Sequence, residues 1–188
     1  MQATFFLKEV IANAEKKSSL IILSNKQMKD SLLGLIKDYS EKNKILIIVS
    51  FFTPIIEIRK IFGGKNIYFA DCTQNNGDLD ENIVLTTNPS DLTGIMIAID
   101  LIEKKVAGEK VIIFDALNMM EAYNEYKKMG RFLHALSNKT KLRENTLILI
   151  TEKISTDPKT IDLAKQFSDK NYDYSSLFIS TIASMETK

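Results

Sequence analysis

Glycine, proline and cysteine are all scarce in this chain of 188 residues, which has seven glycines, three prolines and one cysteine. The glycines never fall in the G-x-x-x-x-G-K-[ST] spacing that cradles nucleotide phosphates on backbone N–H groups. Because Cys72 is the only cysteine, an internal disulfide and a multi-cysteine zinc site are both excluded. The sequence therefore lacks the commonest phosphate-binding motif and any zinc motif built from several cysteines.

An excess of charge of one sign is also missing. The 25 basic and 24 acidic residues give a net charge of +1 and are mixed along the chain. Arginine, which reads phosphate and guanine in a bidentate manner, occurs only at positions 59, 131 and 143. No strong field is available to attract nucleic acid or an anionic membrane, so we expect no specific nucleic-acid partner.

Long hydrophobic runs are absent as well. The longest apolar stretch, residues 45–56, includes Pro54 and is too short to cross a bilayer. The N-terminus lacks the basic, apolar and small-residue order of a secretion signal. We therefore expect no membrane insertion and a cytoplasmic location. With 45% hydrophobic residues, the chain predicts a single domain spanning residues 1–188.

Short apolar runs alternate with segments of helical periodicity. The spacing of Leu7, Val10, Ile11 and Ala14 predicts an N-terminal amphipathic helix over about residues 4–17, packed on the domain. The predicted strands are 20–23, 45–49, 67–70, 83–86, 111–114, 147–150 and 177–182, and the further predicted helices are 27–40, 54–62, 90–106, 120–142 and 158–168.

The alternation predicts the α/β class. The predicted strands are nearly continuous in their apolar character, which is typical of strands buried on both faces. Parallel strands need a crossover long enough to hold a helix, so we expect a three-layer arrangement: a mostly parallel sheet with helices on both faces. The segment 88–91 predicts a helix start, residues 71–82 an exposed loop, and residues 185–188 a frayed tail.

The loop after the first strand is the usual phosphate site in such a sheet. Here it runs from Ser24 to Ser31, without a glycine before Gly34 to provide positive-φ turns. Lys26, Lys29 and Ser31, at a helix N-terminus, could hold an anion weakly. The alternative interpretation is a solvated helix start.

Asp115 follows the apolar run 111–114, so its carboxylate is expected at the end of a strand. It could coordinate magnesium, or it could accept hydrogen bonds from the following turn or from neighbouring loops. Without a phosphate loop beside it, we favour the structural role. His134, the only histidine, is expected to be a half-buried packing residue on the flank of a helix stripe formed by Tyr126, Met129, Phe132, Leu133 and Leu136.

The last feature of the sequence is a set of four segments: residues 45–51 (ILIIVSF), 88–93 (NPSDLT), 111–117 (VIIFDAL) and 131–136 (RFLHAL). Together they resemble the RecA-superfamily ATPases of the KaiC-like, archaeal type. The resemblance covers roughly residues 18–155 and depends on the order and spacing of the segments. It implies a RecA-like core and, as is common in that family, assembly into rings or filaments around ATP.

The departures from the family are as informative as the match. The glycine-rich phosphate loop should follow the strand ending near Leu23, and here that segment is short and free of glycine. The family places a catalytic glutamate shortly after a Ser-Phe pair like Ser50-Phe51, whereas this chain continues Phe52-Thr53-Pro54. The family's three hydrolytic elements are the phosphate loop, the catalytic glutamate and an aspartate at the end of a later strand. By this resemblance, only the aspartate is retained here, as Asp115. We therefore expect no catalytic residues and no hydrolysis.

Two functions follow as hypotheses. The first is a degenerate, non-catalytic RecA-like domain that acts in regulation or scaffolding through protein association, as a homo-oligomer or as an inactive partner of a related ATPase, and needs no cofactor or metal. The alternative is a sensor that binds ATP or ADP, with or without Mg²⁺, through Lys26, Lys29, Ser31 and Asp115 without hydrolysis.

Overall fold

Seven parallel strands form one sheet in the computed structural model, which describes residues 3–63, 66–73, 82–85 and 88–176. The strands are β1 (Ser18–Leu23), β2 (Ile45–Ser50), β3 (Ile67–Asp71), β4 (Ile83–Leu85), β5 (Lys110–Phe114), β6 (Thr146–Glu152) and β7 (Lys170–Asp173). Their order across the sheet is β4-β3-β2-β5-β6-β1-β7, and every neighbouring pair is parallel.

Helices cover both faces of the sheet, so the predicted three-layer α/β architecture is confirmed. The helices are α1 (Ala3–Asn13), α2 (Asn25–Glu41), α3 (Ile55–Phe62), α4 (Leu92–Lys105), α5 (Leu117–Tyr123), α6 (Tyr126–Leu142) and α7 (Pro158–Gln166). Helix α1 packs on α2, while α6 packs on both α4 and α7. Crossovers between parallel strands are right-handed almost without exception. Connections that run in opposite directions along the sheet therefore place their helices on opposite faces.

The central strands are the core of the protein. Every residue of β1, β5 and β6 is buried, as expected for parallel strands covered on both sides. Phe114 at the end of β5 packs edge-on against Phe132 of α6, with 5.9 Å between ring centroids. The apolar face predicted for the N-terminal helix is buried too, although the helix ends at Asn13 and a turn with Lys16 at φ 54° follows.

One predicted helix is divided in two. The pattern over 120–142 predicts a continuous helix, but Asn124 adopts an extended conformation between α5 and α6. Its side-chain amide donates to the carbonyls of Met120 (2.9 Å) and Pro89 (3.0 Å), which ties the break to a distant turn. Tyr126 is consequently 47% exposed, whereas the other predicted members of its stripe are buried.

The sheet edge formed by β7 differs from the prediction. Residues 170–173 are polar and fall in none of the predicted strands or helices, yet they pair in parallel with β1. Tyr172 therefore lies within the edge strand, and Tyr174 beyond it packs on Phe6 of α1 with ring centroids 4.5 Å apart. The strand predicted at 177–182 and the tail at 185–188 lie outside the described residues.

Two turns also differ in detail. Helix α4 is capped by Asp91, whose Oδ1 accepts from the Gly94 N–H at 2.7 Å. Asn88 instead folds the preceding turn by accepting from the Ser90 N–H at 2.7 Å. Asp71 and Cys72, predicted as the start of an exposed loop, are buried at the end of β3, and residues 74–81 of that loop lie outside the described residues.

Candidate functional site

The carboxyl edge of the sheet, where the strands end, brings together the residues expected to carry chemistry. Ser24 follows β1, Phe51 follows β2, Cys72 follows β3 and Asp115 follows β5. Strand β6 separates β1 from β5, so the ends of those two strands lie about 10 Å apart. This edge is where ligands bind in open parallel sheets.

The Asp115 carboxylate is 3% exposed and is held by the loop that follows β2. Its Oδ1 accepts from the Phe51 N–H at 2.7 Å, and its Oδ2 accepts from the Thr53 N–H at 2.8 Å. The Phe52 N–H donates to both oxygens at 3.2–3.3 Å, and the Ser50 hydroxyl donates to Oδ2 at 3.3 Å. The carboxylate thus folds the β2 loop over the end of β5.

Burial raises the pKa of the Asp115 carboxyl above its ordinary value, and the hydrogen bonds from Phe51, Thr53 and Phe52 oppose that shift. Because both oxygens already accept from the β2 loop, a cation could reach the carboxylate only by displacing N–H donors. This geometry matches the expectation that Asp115 accepts hydrogen bonds from a neighbouring loop. Its use as a nucleotide or magnesium ligand stays a prediction.

The junction between β1 and α2 is one residue long, since Ser24 alone separates Leu23 from Asn25. The Gln27 side-chain oxygen accepts from both the N–H and the hydroxyl of Ser24 at 2.8 Å, as in a capping box. The Gln27 amide also donates to the Tyr174 carbonyl at 3.2 Å, so the junction is tied to the chain beyond β7. These contacts fix a helix start directly on the strand.

The other predicted ligands occupy three different environments. Lys26 is exposed on the first turn of α2. Lys29 pairs with Glu57 of α3, with Nζ and Oε2 2.5 Å apart. Ser31 is 1% exposed, and its Oγ has no hydrogen-bond partner among the described residues. No sequence motif predicts that these three side chains have different surroundings, because their surroundings depend on how α2 is rotated against the sheet.

A cleft of 470 Å³ lies beside Asp115 at the same edge. Two aromatic side chains border it, Phe52 after β2 and Tyr123 at the end of α5, and each is about half exposed. The other lining residues come from the end of β3, the turn before α4 and helix α5, together with the buried Phe51: Phe51, Cys72, Thr73, Asn88, Pro89, Ser90 and Met119.

Sequence reasoning missed this cleft. The adjacent pair Phe51-Phe52 was a usable signal, because side chains of consecutive residues point in different directions and a strand end can bury only one of them. Phe51 is buried against Phe114, with ring centroids 6.2 Å apart, and Phe52 faces outward. Tyr123 gave no signal, since its exposure follows from the unexpected break after α5.

The remaining polar candidates have structural surroundings. His134 is exposed, rather than half-buried as predicted, and its Nε2 lies 3.0 Å from the Asn138 amide nitrogen. Cys72 is buried. Across the described ranges, no group of three or more His, Cys, Asp or Glu side chains is arranged to hold a metal ion. In the same part of the chain, no helix combines the length and apolar character needed to span a membrane.

Comparisons with solved structures identify the fold. The crystal structure of the KaiC-like protein PH0186 from the hyperthermophilic archaeon Pyrococcus horikoshii OT3 superposes with a TM-score of 0.62 at 14% identity, covering 85% of this chain and 73% of that one. The solved ATPase domain of a second protein gives 0.59 at 11% identity, covering 92% and 74%. No protein-family model and no curated protein matches the sequence. The fold is therefore RecA-like, as the sequence resemblance implied.

Proposed function

We propose that this chain is a single, non-catalytic RecA-like domain that works through protein association. In this proposal it forms a homo-oligomer or an inactive partner of a related ATPase, and it serves a regulatory or scaffolding role in the cytoplasm. The carboxyl edge is its contact surface. A RecA-like fold supports many functions, so the proposal rests on the residues at that edge.

The observation that carries the proposal is the one-residue junction between β1 and α2. A phosphate cradle needs several consecutive N–H groups free to point at one anion. At this junction the Ser24 N–H is already bonded to Gln27, and Lys29 is paired with Glu57. Asp115 likewise has its oxygens occupied by the β2 loop. The residues present therefore fit a magnesium nucleotide poorly.

Exposed apolar side chains supply the reason for choosing association. We call Phe52, Tyr123 and Ile154 the edge triad; they are 50%, 53% and 89% exposed. They follow the carboxyl ends of β2, β5 and β6, either directly or through the short helix α5, so one edge presents all three. Large apolar side chains gathered on one side of a protein mark surfaces that bind other proteins.

Calorimetric titration with ATP–Mg²⁺ and with ADP tests the non-catalytic half of the proposal. With protein at about 0.1 mM, complexes as weak as a dissociation constant of roughly 1 mM still give measurable heat. We expect no saturable heat and no release of phosphate above the buffer rate. Turnover of ATP by the pure chain would refute the proposal.

Sedimentation velocity over a concentration series tests the association half. We expect self-association of the wild type that Phe52→Ser/Tyr123→Ser abolishes. The matched control is Ile97→Ser/Leu101→Ser, which removes two apolar side chains of 53% and 51% exposure from α4 instead. A wild type that stays monomeric, both alone and mixed with a related ATPase, contradicts the proposal, as does equal loss of association in both variants.

The nucleotide sensor remains a second candidate because of Lys26. Its ammonium is exposed at the start of α2 and forms no ion pair within the described part of the chain. If the sensor hypothesis is correct, ATP raises the melting temperature and Lys26→Glu/Lys29→Glu removes the effect. If the junction is only a helix start, ATP leaves the melting temperature of both proteins unchanged.

A further inference from the structure

A polar pocket lies at the opposite edge of the sheet, where β5 and β6 begin. Its volume is 270 Å³, and it is an open pocket bordered by the last turn of α4 and by the turn between α6 and β6. Its lining comprises Glu103, Lys104, Gly108, Lys110, Arg143 and Asn145. None of these residues belongs to the carboxyl edge, so the pocket is separate from the candidate site described above.

The wall of the pocket is fixed by an ionic network. The Glu103 side chain is 5% exposed and accepts from Arg143 and, at 2.6 Å, from the Asn145 amide. The Asn145 oxygen accepts from the Lys110 backbone N–H at 3.0 Å. Asp100 of α4 holds Arg143 at 2.9 Å from outside the pocket. Each of these groups is therefore positioned by at least one neighbour.

Lys110 is the exception in this network. It is 9% exposed, yet its ammonium forms no hydrogen bond and no ion pair with any residue in the ranges that the structure describes. Lysine is mostly exposed in folded proteins, because burial costs its ammonium hydration, and a lysine buried to this degree usually has a partner. A nine-tenths buried lysine that lines a pocket and has no protein partner within that part of the chain points to an anion as the partner of its ammonium.

The charge around the pocket agrees with that inference. Lys104, Lys110 and Arg143 carry three positive charges against one negative charge on Glu103, which leaves +2. Asp100 and Lys139 extend the network but cancel each other. The C-terminal ends of α4 and α6 oppose this with roughly half a negative charge each, and about one positive charge remains.

We propose that this pocket binds a small oxyanion of the phosphate type, with the Lys110 ammonium as its central partner and Arg143 and Lys104 beside it. Nucleotide-sized ligands occupy pockets of about 300–1,000 Å³, so the volume suits a phosphate group better than a whole nucleotide. Lysine and arginine both donate charge-assisted hydrogen bonds to phosphate oxygens. The anion completes the hydrogen bonding of Lys110.

Titration calorimetry with inorganic phosphate, at constant ionic strength adjusted with chloride, tests the proposal. We compare the wild type with Lys110→Met, which keeps the length and packing of the side chain without its charge. Lys37→Met is the control, because Lys37 is an exposed lysine of α2. We expect saturable binding by the wild type and by Lys37→Met, and roughly tenfold or greater weakening in Lys110→Met.

Thermal melting of Lys110→Met without phosphate tests whether the substitution itself destabilises the fold. Because Lys110 is largely buried and its ammonium has no protein partner among the described residues, removing the charge should leave the melting temperature equal to or above that of the wild type. Titration with glycerol phosphate then separates the two sources of the phosphate group: tighter binding than inorganic phosphate indicates a phosphorylated metabolite, and equal binding indicates the free anion. Phosphate binding that is absent from the wild type, or that is equal in Lys110→Met, overturns the proposal.

Discussion

The Asp115 carboxylate joins two parts of the chain through buried hydrogen bonds, so its removal has a predictable cost. Asp115→Ala leaves the N–H groups of Phe51 and Thr53 without their acceptors in a buried loop. We expect the free energy of unfolding, measured in urea, to fall by roughly 2–4 kcal/mol. Asp115→Asn keeps one acceptor oxygen and should lose less.

Asp162→Ala is the matched control for that experiment. Its carboxylate is exposed and pairs with Lys165, three residues away on α7. Exposed substitutions of this kind change stability by about 0.5 kcal/mol or less. If Asp115→Ala were as mild as Asp162→Ala, the β2 loop would not depend on Asp115 for its conformation.

The titration of Asp115 gives a prediction with a definite sign. Burial raises its folded pKa above the ordinary value, so the folded protein holds this proton more tightly than the unfolded chain does. The stabilisation from this group is complete below about pH 3.9 and is lost as the pH rises through the folded pKa. The stability of the wild type relative to Asp115→Asn should therefore decrease from about pH 4 upward and then level off.

Urea unfolding of both proteins along the pH series measures that difference, in which titrations common to the two chains cancel. The opposite sign, with the wild type gaining on Asp115→Asn as the pH rises, would mean that the N–H donors outweigh burial. The sequence predicted where this carboxylate lies, because an apolar strand leads directly to it. It could not identify the donors, since they lie 62–64 residues earlier and meet Asp115 only through the pairing of β2 with β5.

Two helix-interior glycines differ in the space that surrounds them. A Cβ added at Gly130 of α6 would lie 3.4 Å from Leu163, an ordinary contact. One added at Gly34 of α2 would lie 2.5 Å from the Leu7 side chain of α1, which would have to move. Alanine gains roughly 0.8–1.0 kcal/mol over glycine in a helix. We expect Gly130→Ala to stabilise the protein and Gly34→Ala to gain less than Gly130→Ala.

Chemical unfolding of the two single variants measures this contrast, and each serves as the control for the other. Equal stabilisation by both substitutions would show that α1 does not press on α2 as closely as the structure describes. A larger side chain sharpens the test: Gly34→Val should destabilise by about 1–3 kcal/mol because Leu7 cannot accommodate it without shifting α1.

Strands and helices were predictable where their pattern is decided by burial. The runs that became β1, β2, β5 and β6 are apolar because both faces of a parallel strand are covered. The edge strand β7 was not predictable in this way, since its polar residues pair with β1 while their side chains remain largely exposed. The break at Asn124 was hidden for another reason: its amide is satisfied by Pro89, a partner in distant sequence.

The candidate site was likewise predictable in part: its place at the sheet edge was, and its exposed surfaces were not. Sequence placed Asp115 and the β1–α2 junction at the carboxyl edge, because the order of the strands and helices fixes which loops share an edge. The cleft beside them and the Lys110 pocket depend on which side chains remain uncovered after packing. In the sequence, Lys110 is an ordinary polar residue before an apolar run, and only the positions of α4 and α6 reveal that it is largely buried.

The two proposed binding surfaces lie at opposite edges of one rigid sheet, which predicts that they act independently. Strand β5 connects them, running from Lys110 at the pocket to Phe114 beside Asp115. Its five residues span about 16 Å, and both faces of the strand are packed. Energetic coupling between sites requires an element with two alternative arrangements that each ligand biases differently. A fully buried central strand offers none.

We therefore expect saturating phosphate to leave the self-association constant unchanged in sedimentation velocity at fixed ionic strength. Linkage requires the converse as well, so Phe52→Ser/Tyr123→Ser should bind phosphate with wild-type affinity. The Lys110→Met variant separates a specific effect from a general one, because it lacks the proposed anion partner and retains the edge triad. A change in association caused by phosphate in the wild type but not in Lys110→Met would show that the pocket regulates the carboxyl edge, and the sheet would then have to transmit that change through β5.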